Sequence, residues 1–273
     1  MNWLEEYNTK ELYIRHAIDP HPDDKYFLMH VHERYEIYYF LSGDAEYLVE
    51  GSRYPLKPGS LLIMRPAESH KAKIKNNKSY ERFAINFSLP AVECIDPKHQ
   101  LLAPFDNRPL GRGNLYTEAE FEGISVKRMF EKMCSQQQDT GKQELKILTY
   151  LFPLLDMINE AYQARGAAEY QPPQSISEQI VTYVNLHLFE ELSIPLLAEH
   201  FFLSTSQFGR IFKQATGAAP WEYITIKRLT AAKEKIRSGS TVQNACTGCG
   251  FGDYSTFYRA YVKQFGCAPK EDA

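Results

Sequence analysis

Three histidines and one glutamate in the N-terminal third of the chain have side chains that could act at one chemical site. His30, His32 and Glu36 are closely spaced, and His70 follows later in the same region. Because side chains alternate along a strand, the first three share one face if a single strand runs through them. Imidazole and carboxylate groups suit Fe, Mn, Ni or Zn, but they also form the polar wall of a small-molecule pocket or a hydrogen-bonded core. Of these three interpretations, the polar wall is favoured here.

The residues around this group predict a series of short β-strands. From about Phe27 to Phe87, runs rich in Tyr, Phe, Val and Ile alternate with turn residues at intervals of about ten. The predicted strands are residues 35–41, 45–50, 53–56, 60–64 and 80–87. This pattern is typical of an antiparallel sandwich or a small barrel, and the aromatic content of 13% would fill such an interior.

The H-x-H-x3-E-x6-G pattern that begins at His30 resembles the first motif of the cupin family. A second motif, from Gly59 to His70, is degraded, because Ala67 and Glu68 stand where a turn glycine is usual. Resemblance to metal-dependent cupins implies a cation on His30, His32, Glu36 and His70, but the loosened second motif argues against it, and no cofactor or metal is assigned. The predicted effector pocket consists of Arg15, His30, His32, Glu36, Tyr38, His70 and Arg82.

The middle of the chain predicts two helices with apolar faces, one across residues 121–133 and one across 145–158. Pro153 should bend the second helix. These helices are expected to cover the barrel, to pair with a second copy of the chain, or both. Residues 166–173 have the composition of a linker. The predicted domains are a cupin-like effector-binding barrel (1–110), a helical dimerisation or cover segment (111–165), a linker (166–174) and a DNA-binding domain (175–273).

The last hundred residues contain an internal repeat with an offset of forty-nine positions. The aromatic-x-Arg-x-aromatic run at 208–212 falls on 257–261, and the Gly-x-x-Pro run at 217–220 falls on 266–269. Each copy predicts a short helix, a tight turn and a second helix with a buried aromatic face. A helix that begins at Pro220 and ends near Arg237 joins the copies, and its about eighteen residues would span about 27 Å.

Two helix-turn-helix units joined in this way could place their second helices in successive major grooves of DNA, roughly 34 Å apart. Arginine can bind guanine through two hydrogen bonds, whereas Ser, Gln and Tyr suit several base edges or phosphates. Lys213, Lys227, Arg228 and Lys263 are predicted to lie near the DNA backbone. The predicted DNA-binding residues are Ser206, Gln207, Arg210, Lys213, Tyr254, Ser255, Tyr258, Arg259 and Lys263.

Residues 176–270 resemble the AraC/XylS family of bacterial transcription regulators. The signature includes Leu-Ser-x3-Phe from Leu203 and Cys-Gly-Phe-x-Asp from Cys249, each followed by the repeated motifs above. The resemblance implies that the two second helices read DNA and that a cupin-like N-terminal domain senses a small molecule and dimerises. Two departures are Gly209, where a larger polar side chain is common, and a C-terminus after Lys270 without the family's closing aromatic-Arg pair.

The charge of the chain is unevenly distributed. The formal net charge is −3, but residues 204–270 carry ten Lys or Arg against three acids. A local charge of +7 suits a polyanionic partner such as DNA. The composition excludes a disordered chain, a collagen and a coiled coil, and no apolar run is long enough to span a membrane. The acidic start and five scattered cysteines predict a cytoplasmic protein, with Cys246 and Cys249 as buried, inert thiols.

The sequence therefore predicts an α+β multidomain protein: an antiparallel cupin-like β-barrel with flanking helices, then an all-α domain of two helix-turn-helix units. The predicted function is a transcription regulator, not an enzyme, and of the two signs of regulation an activator is favoured. Its expected partners are promoter DNA, a sugar-like effector, RNA polymerase and a second copy of the chain. The alternative is a metal-dependent cupin oxygenase or isomerase with an accessory helical domain.

Overall fold

The computed structural model describes residues 2–135, 139–166 and 175–272. Most of the predicted linker (166–174) therefore lies outside the described residues. The strands are β1 (Asn2–Asn8), β2 (Leu12–Asp19), β3 (Tyr35–Ser42), β4 (Ala45–Val49), β5 (Ser52–Pro55), β6 (Leu61–Met64), β7 (His70–Ile74), β8 (Tyr80–Phe87) and β9 (Leu115–Tyr116). The helices are α1 (Leu89–Glu93), α2 (Ala103–Asp106), α3 (Val126–Cys134), α4 (Thr140–Ala164), α5 (Ile176–Leu186), α6 (Ile194–His200), α7 (Thr205–Thr216), α8 (Pro220–Arg237), α9 (Val242–Gly248) and α10 (Tyr254–Phe265).

The N-terminal strands form two antiparallel sheets, so the sandwich allowed by the strand spacing describes them better than the closed barrel of the predicted fold class. The larger sheet has the order β1-β2-β8-β3-β6-β9, and the smaller has the order β5-β4-β7. Strand β3 lies in the larger sheet, β4 and β5 lie in the smaller sheet, and the chain returns to the larger sheet with β6. The antiparallel class and the five predicted strands are confirmed. Strands β1, β2, β7 and β9 were not predicted.

The larger sheet is buried on both faces, which explains why β3 is apolar at nearly every position. On one face Ile37 and Tyr39 pack in a core that also contains Phe130 of α3 and Leu151 of α4. On the other face Tyr38 packs in a core shared with the smaller sheet. Helices α3 and α4 thus cover the sheet, and α4 continues through Pro153.

The helical domain reproduces the sequence repeat in three dimensions. Ser204 caps α7 and Asp253 caps α10, forty-nine positions apart, each accepting a backbone hydrogen bond in the first turn. Gly217 and Gly266 end these helices with φ of +86° and +74°, which a glycine adopts without strain. The same local signals therefore begin and end both helices.

No helix in the described parts of the chain combines the length and the apolar character needed to cross a lipid bilayer.

Candidate functional site

Both second helices of the repeat present their predicted DNA-binding residues outward. Phe208 and Phe212 bury the inner face of α7, and Phe257 and Tyr261 do the same for α10. Helical spacing therefore directs the intervening positions to solvent. All nine predicted residues are exposed: Ser206, Gln207, Arg210, Lys213, Tyr254, Ser255, Tyr258, Arg259 and Lys263.

Gln207 and Arg259 also form hydrogen bonds within their own units. The Gln207 Oε1 atom accepts hydrogen bonds from the Ser204 backbone N–H and hydroxyl, each at 3.0 Å, which completes the cap of α7. Arg259 Nε donates to the Ser255 backbone oxygen at 3.3 Å. Gln207 therefore combines a structural contact with its exposed position, whereas Arg210 and Lys213 project from the same helix further along.

The connecting helix α8 corrects the prediction for two basic residues. Lys227 and Arg228 are 5% and 4% exposed, so neither faces outward toward a DNA backbone. The Arg228 guanidinium donates to the backbone oxygens of Leu188, Glu190 and Gly250 at 2.6–2.7 Å. Since Gly250 lies in the turn of the second unit, Arg228 ties both halves of the domain to α8. The sequence shows that Arg228 is charged, but it does not show that backbone carbonyl oxygens surround its guanidinium.

The predicted polar group of the N-terminal domain does come together. Candidate ligand atoms of His30, His32, Glu36 and His70 all lie within 4.8 Å of one another. The distance from His32 Nε2 to Glu36 Oε2 is 2.7 Å, and from His70 Nε2 to the same oxygen it is 3.3 Å. Glu36 and His70 are buried, while His30 reaches solvent at the edge of the group.

The three histidine rings are each fixed by a backbone carbonyl. The Nδ1 atoms of His30, His32 and His70 lie 3.1, 2.9 and 2.7 Å from the backbone oxygens of Leu28, Arg34 and Glu68. A carbonyl oxygen can only accept, so each Nδ1 carries the hydrogen. All three Nε2 atoms are consequently left to face the cluster, together with the Glu36 carboxylate.

The electrostatics of this cluster centre on Glu36. Burial alone would raise the pKa of Glu36, but His32 and His70 hold that pKa well below its ordinary value. Burial would lower the pKa of His70, yet the Glu36 carboxylate raises it overall. The ring of His30 packs edge-on against that of His70, with the ring centroids 4.2 Å apart. The sequence did not single out Asn86, whose Nδ2 donates to Glu36 at 2.9 Å.

The other predicted pocket residues lie between the two sheets and are closely packed. Arg82 pairs with Asp19 at 3.1 Å and stacks on Tyr80. The Tyr38 hydroxyl bonds to the Tyr80 hydroxyl, and Arg15 interacts electrostatically with Glu36. Tyr38 and Arg82 thus lie among paired polar groups, and Arg15 lies near the cluster around Glu36.

A second buried ion pair supports the loop that carries His70. Glu68 accepts two hydrogen bonds from Arg108, at 2.6 and 2.8 Å, and one from the Gly111 backbone at 2.8 Å. Burial would raise the pKa of Glu68, but Arg108 lowers it to about 2. Ala67, in the same loop, has a φ of +61°, the left-handed conformation that a turn glycine would adopt more readily. The loop thus keeps the turn without the glycine.

The two domains meet at a buried glutamate that the sequence did not reveal. Glu50 follows β4, and its Oε1 lies 2.5 Å from Lys227 Nζ of α8. Glu50 also accepts from the Ser69 backbone at 2.6 Å and from the hydroxyl of Tyr223. Lys227 donates further to the Ala67 backbone oxygen at 2.8 Å. Since Ser69 precedes His70, the domain junction and the polar cluster share one loop.

Residues 29–33 contact both the polar cluster and the helical domain, through side chains that alternate along the segment. His30 and His32 face the cluster, whereas Met29 and Val31 belong to the apolar core of the first helix-turn-helix unit. Glu33 lies 3.2 Å from Lys233 of α8 and also pairs with Arg237. No sequence pattern within one domain could have predicted these contacts, because each depends on how two domains pack.

Cys246 and Cys249 are both buried, and burial raises the pKa of each thiol. The prediction of buried, unreactive thiols is consistent with this environment.

Comparisons with known proteins agree with both halves of this description. The family model described as "AraC-like ligand binding domain" matches residues 13–155, and that described as "Helix-turn-helix domain" matches residues 197–272. The chain is 24% identical over 250 residues to the uncharacterized HTH-type transcriptional regulator YfiF of Bacillus subtilis, covering 89% of this chain and 77% of that protein. It is 22% identical over 257 residues to the HTH-type transcriptional activator RhaS of Escherichia fergusonii, covering 93% and 90%.

Among solved structures, ToxT from Vibrio cholerae matches with 10% identity and a TM-score of 0.41, covering 96% of this chain and 97% of that one. The chain belongs to the AraC family: it is a DNA-binding transcriptional regulator with an AraC-like ligand-binding domain. The family assignment and the regulator function predicted from the sequence are thereby confirmed.

Proposed function

We propose that this regulator reads promoter DNA through the outward faces of α7 and α10. The observation that carries the proposal is that each helix has a side-chain N-cap, a closing glycine and two buried aromatic residues at matching positions, and that both turn their predicted contact residues outward. Arg210 and Arg259 are the residues proposed to bind guanine edges. Lys213 and Lys263, further along the helices, are proposed to contact phosphates.

The proposed effector site is the polar interior around Glu36, which contains Arg15, His30, His32, Glu36, Tyr38, His70 and Arg82. Guanidinium, carboxylate, phenol and imidazole groups suit a ligand rich in hydroxyl groups, so the proposed effector is a sugar or sugar derivative. His30 marks the point at which the cluster reaches solvent. A ligand would therefore first meet the segment that carries His30 and His32.

The same segment supports a route from effector to DNA. A ligand changes DNA affinity only if it binds one arrangement of the domains better than another. Met29 and Val31 pack in the core of the first DNA-binding unit while their neighbours face the effector site. A shift of this segment on ligand binding would therefore change the packing between the domains.

The remaining parts of the proposal concern regulation and assembly. We propose an activator that contacts RNA polymerase, works as a homodimer in the cytoplasm and has no enzymatic activity. The name of the relative RhaS, a transcriptional activator, supports the sign of regulation. Helices α3 and α4 support dimerisation, since Leu145 of α4 is 66% exposed beside their buried faces.

The experiment that tests DNA reading is selection from a random duplex pool with the purified full chain, with and without candidate sugars. We expect a motif with two half-sites about one helical turn apart. The Lys78→Ala variant, altered at an exposed residue in the turn between β7 and β8, is the control and should select the same motif. Recovery of no sequence preference at moderate salt would contradict the proposal.

A further inference from the structure

The outward faces of α7 and α10 have one row of side chains in common. Ser206 and Arg210 lie about one helical turn apart on α7, and Ser255 and Arg259 occupy the matching positions of α10. All four residues are exposed. Because residues four positions apart lie on the same side of a helix, each pair forms a row along its helix. Both units therefore present the same serine and arginine to a bound duplex.

The neighbouring row differs between the two units. On α10 it consists of Tyr254 and Tyr258, which are 37% and 40% exposed. Their ring centroids lie 6.3 Å apart, so the two rings lie side by side on the outward face. The matching positions of α7 are Thr205 and Gly209. A pair of aromatic rings in one unit thus corresponds to a short side chain and bare backbone in the other.

Neither backbone conformation nor packing within the described residues requires the glycine in α7. Gly209 lies inside the helix, where glycine is less favourable than alanine. A Cβ atom at this position would have no neighbour within 4 Å among the described residues, apart from the adjacent residues and the backbone of its own helix. The free protein therefore has room for a side chain here, and its absence leaves the α7 backbone open at the centre of the outward face.

We propose that Tyr254 and Tyr258 recognise the C5-methyl group of thymine in the half-site bound by α10. This methyl group is the apolar group that base pairs present in the major groove, and apolar side-chain surfaces recognise it by contact. Rings on the outward face of a helix that lies in this groove are placed against the base edges. Gly209 has no side chain, so the contact made by Tyr258 has no counterpart in the half-site bound by α7.

This inference rests on the proposed reading of DNA by α7 and α10, and it adds a difference between the two half-sites. The half-sites share the base pair that Arg210 or Arg259 reads, and they differ at the base pairs beside it. Such an operator is asymmetric. It therefore determines which unit binds which half-site, and hence the direction in which the regulator lies on the promoter.

The test uses the purified full chain and the duplex that it selects from a random pool. The half-site bound by α10 is the one whose base preference relaxes in Arg259→Ala. Each thymine of that half-site is replaced singly by deoxyuridine, which pairs identically but lacks the C5-methyl group. We expect binding to weaken about fourfold for each methyl group that the rings bury. A thymine placed at the position of the α7 half-site that faces Gly209 should bind no better than deoxyuridine.

Substitutions of the tyrosines assign the effect to their rings. Tyr258→Ala should abolish the difference between thymine and deoxyuridine at the base pair that it contacts, whereas Tyr258→Phe should preserve it, because the ring makes the contact. Neither tyrosine belongs to the buried core of the second unit, so the variants should melt at the wild-type temperature. Tyr26→Ala is the matched control, because Tyr26 is a 71% exposed tyrosine of the N-terminal domain, and it should discriminate like the wild type.

Three results would overturn the inference. The first is equal affinity for thymine and deoxyuridine throughout the α10 half-site. The second is a difference that persists when Tyr254→Ala and Tyr258→Ala are combined. The third is an equal loss in Tyr258→Phe and Tyr258→Ala, which would assign the contact to the hydroxyl group. Selection that recovers no motif at all would overturn the proposed function itself, so the two failures are distinguishable.

Discussion

Arg259 and Lys213 both project from the second helices of the helix-turn-helix units, but their predicted roles in DNA binding differ. Arg259 is exposed on α10, two positions after buried Phe257, where its guanidinium could bind a guanine edge through two hydrogen bonds. We expect Arg259→Ala to weaken binding at the selected site by about 1–3 kcal/mol and to relax preference at one base pair. Binding isotherms on the selected site and its single-base variants measure both effects.

Lys213 provides the comparison, because it lies in the last turn of α7 and is predicted to contact phosphate. Lys213→Ala should weaken binding to all sequences equally and reduce the slope of log affinity against log salt by about one. If Arg259→Ala gave the same uniform loss on random DNA, Arg259 would be a phosphate contact instead.

At the scale of elements, the helices and strands that could be predicted from the sequence are those determined by local signals. Caps and turn residues lie within a few positions of the helix or strand end that they determine, so α8 and five strands were predicted to within one or two residues. Strands β1, β2, β7 and β9 were missed, and of these β2, β7 and β9 pair with strands that are distant in sequence. The buried positions of Lys227 and Glu50 were missed for the same reason: each is a charged residue whose partner lies in another domain.

The loop between β6 and β7 gives a stability prediction at this scale. Arg108 is the buried partner of Glu68, and its removal would leave a carboxylate in the interior. We expect Arg108→Met to lower the free energy of unfolding by about 3–5 kcal/mol. Urea unfolding followed by tyrosine and tryptophan fluorescence measures the loss.

The double variant Arg108→Met with Glu68→Gln removes both charges, and we expect it to regain most of the lost stability. If the double variant were as unstable as Arg108→Met alone, the loss would come from side-chain packing and the unpaired-charge explanation would be wrong.

At the scale of the whole molecule, α8 connects three bodies at once. Tyr223 belongs to the core of the first helix-turn-helix unit, Leu229 belongs to that of the second, and Lys227 reaches Glu50 in the effector domain. A displacement of α8 therefore changes both DNA-binding units together. Because the Glu50–Lys227 ion pair links α8 to the N-terminal domain, it is the contact to remove in a test of coupling between the domains.

We expect Lys227→Met to uncouple the two domains, because it leaves Glu50 buried without its cation at the junction. The wild type should unfold in one calorimetric transition, and Lys227→Met in two, with the lower one moved down by several degrees. Lys235→Met is the matched control, since Lys235 donates to the Gly248 backbone oxygen within the helical domain. Adding Glu50→Gln to Lys227→Met should restore part of the lost melting temperature. A single, unshifted transition in Lys227→Met would show that the apolar contacts of Met29 and Val31 hold the domains together without this ion pair.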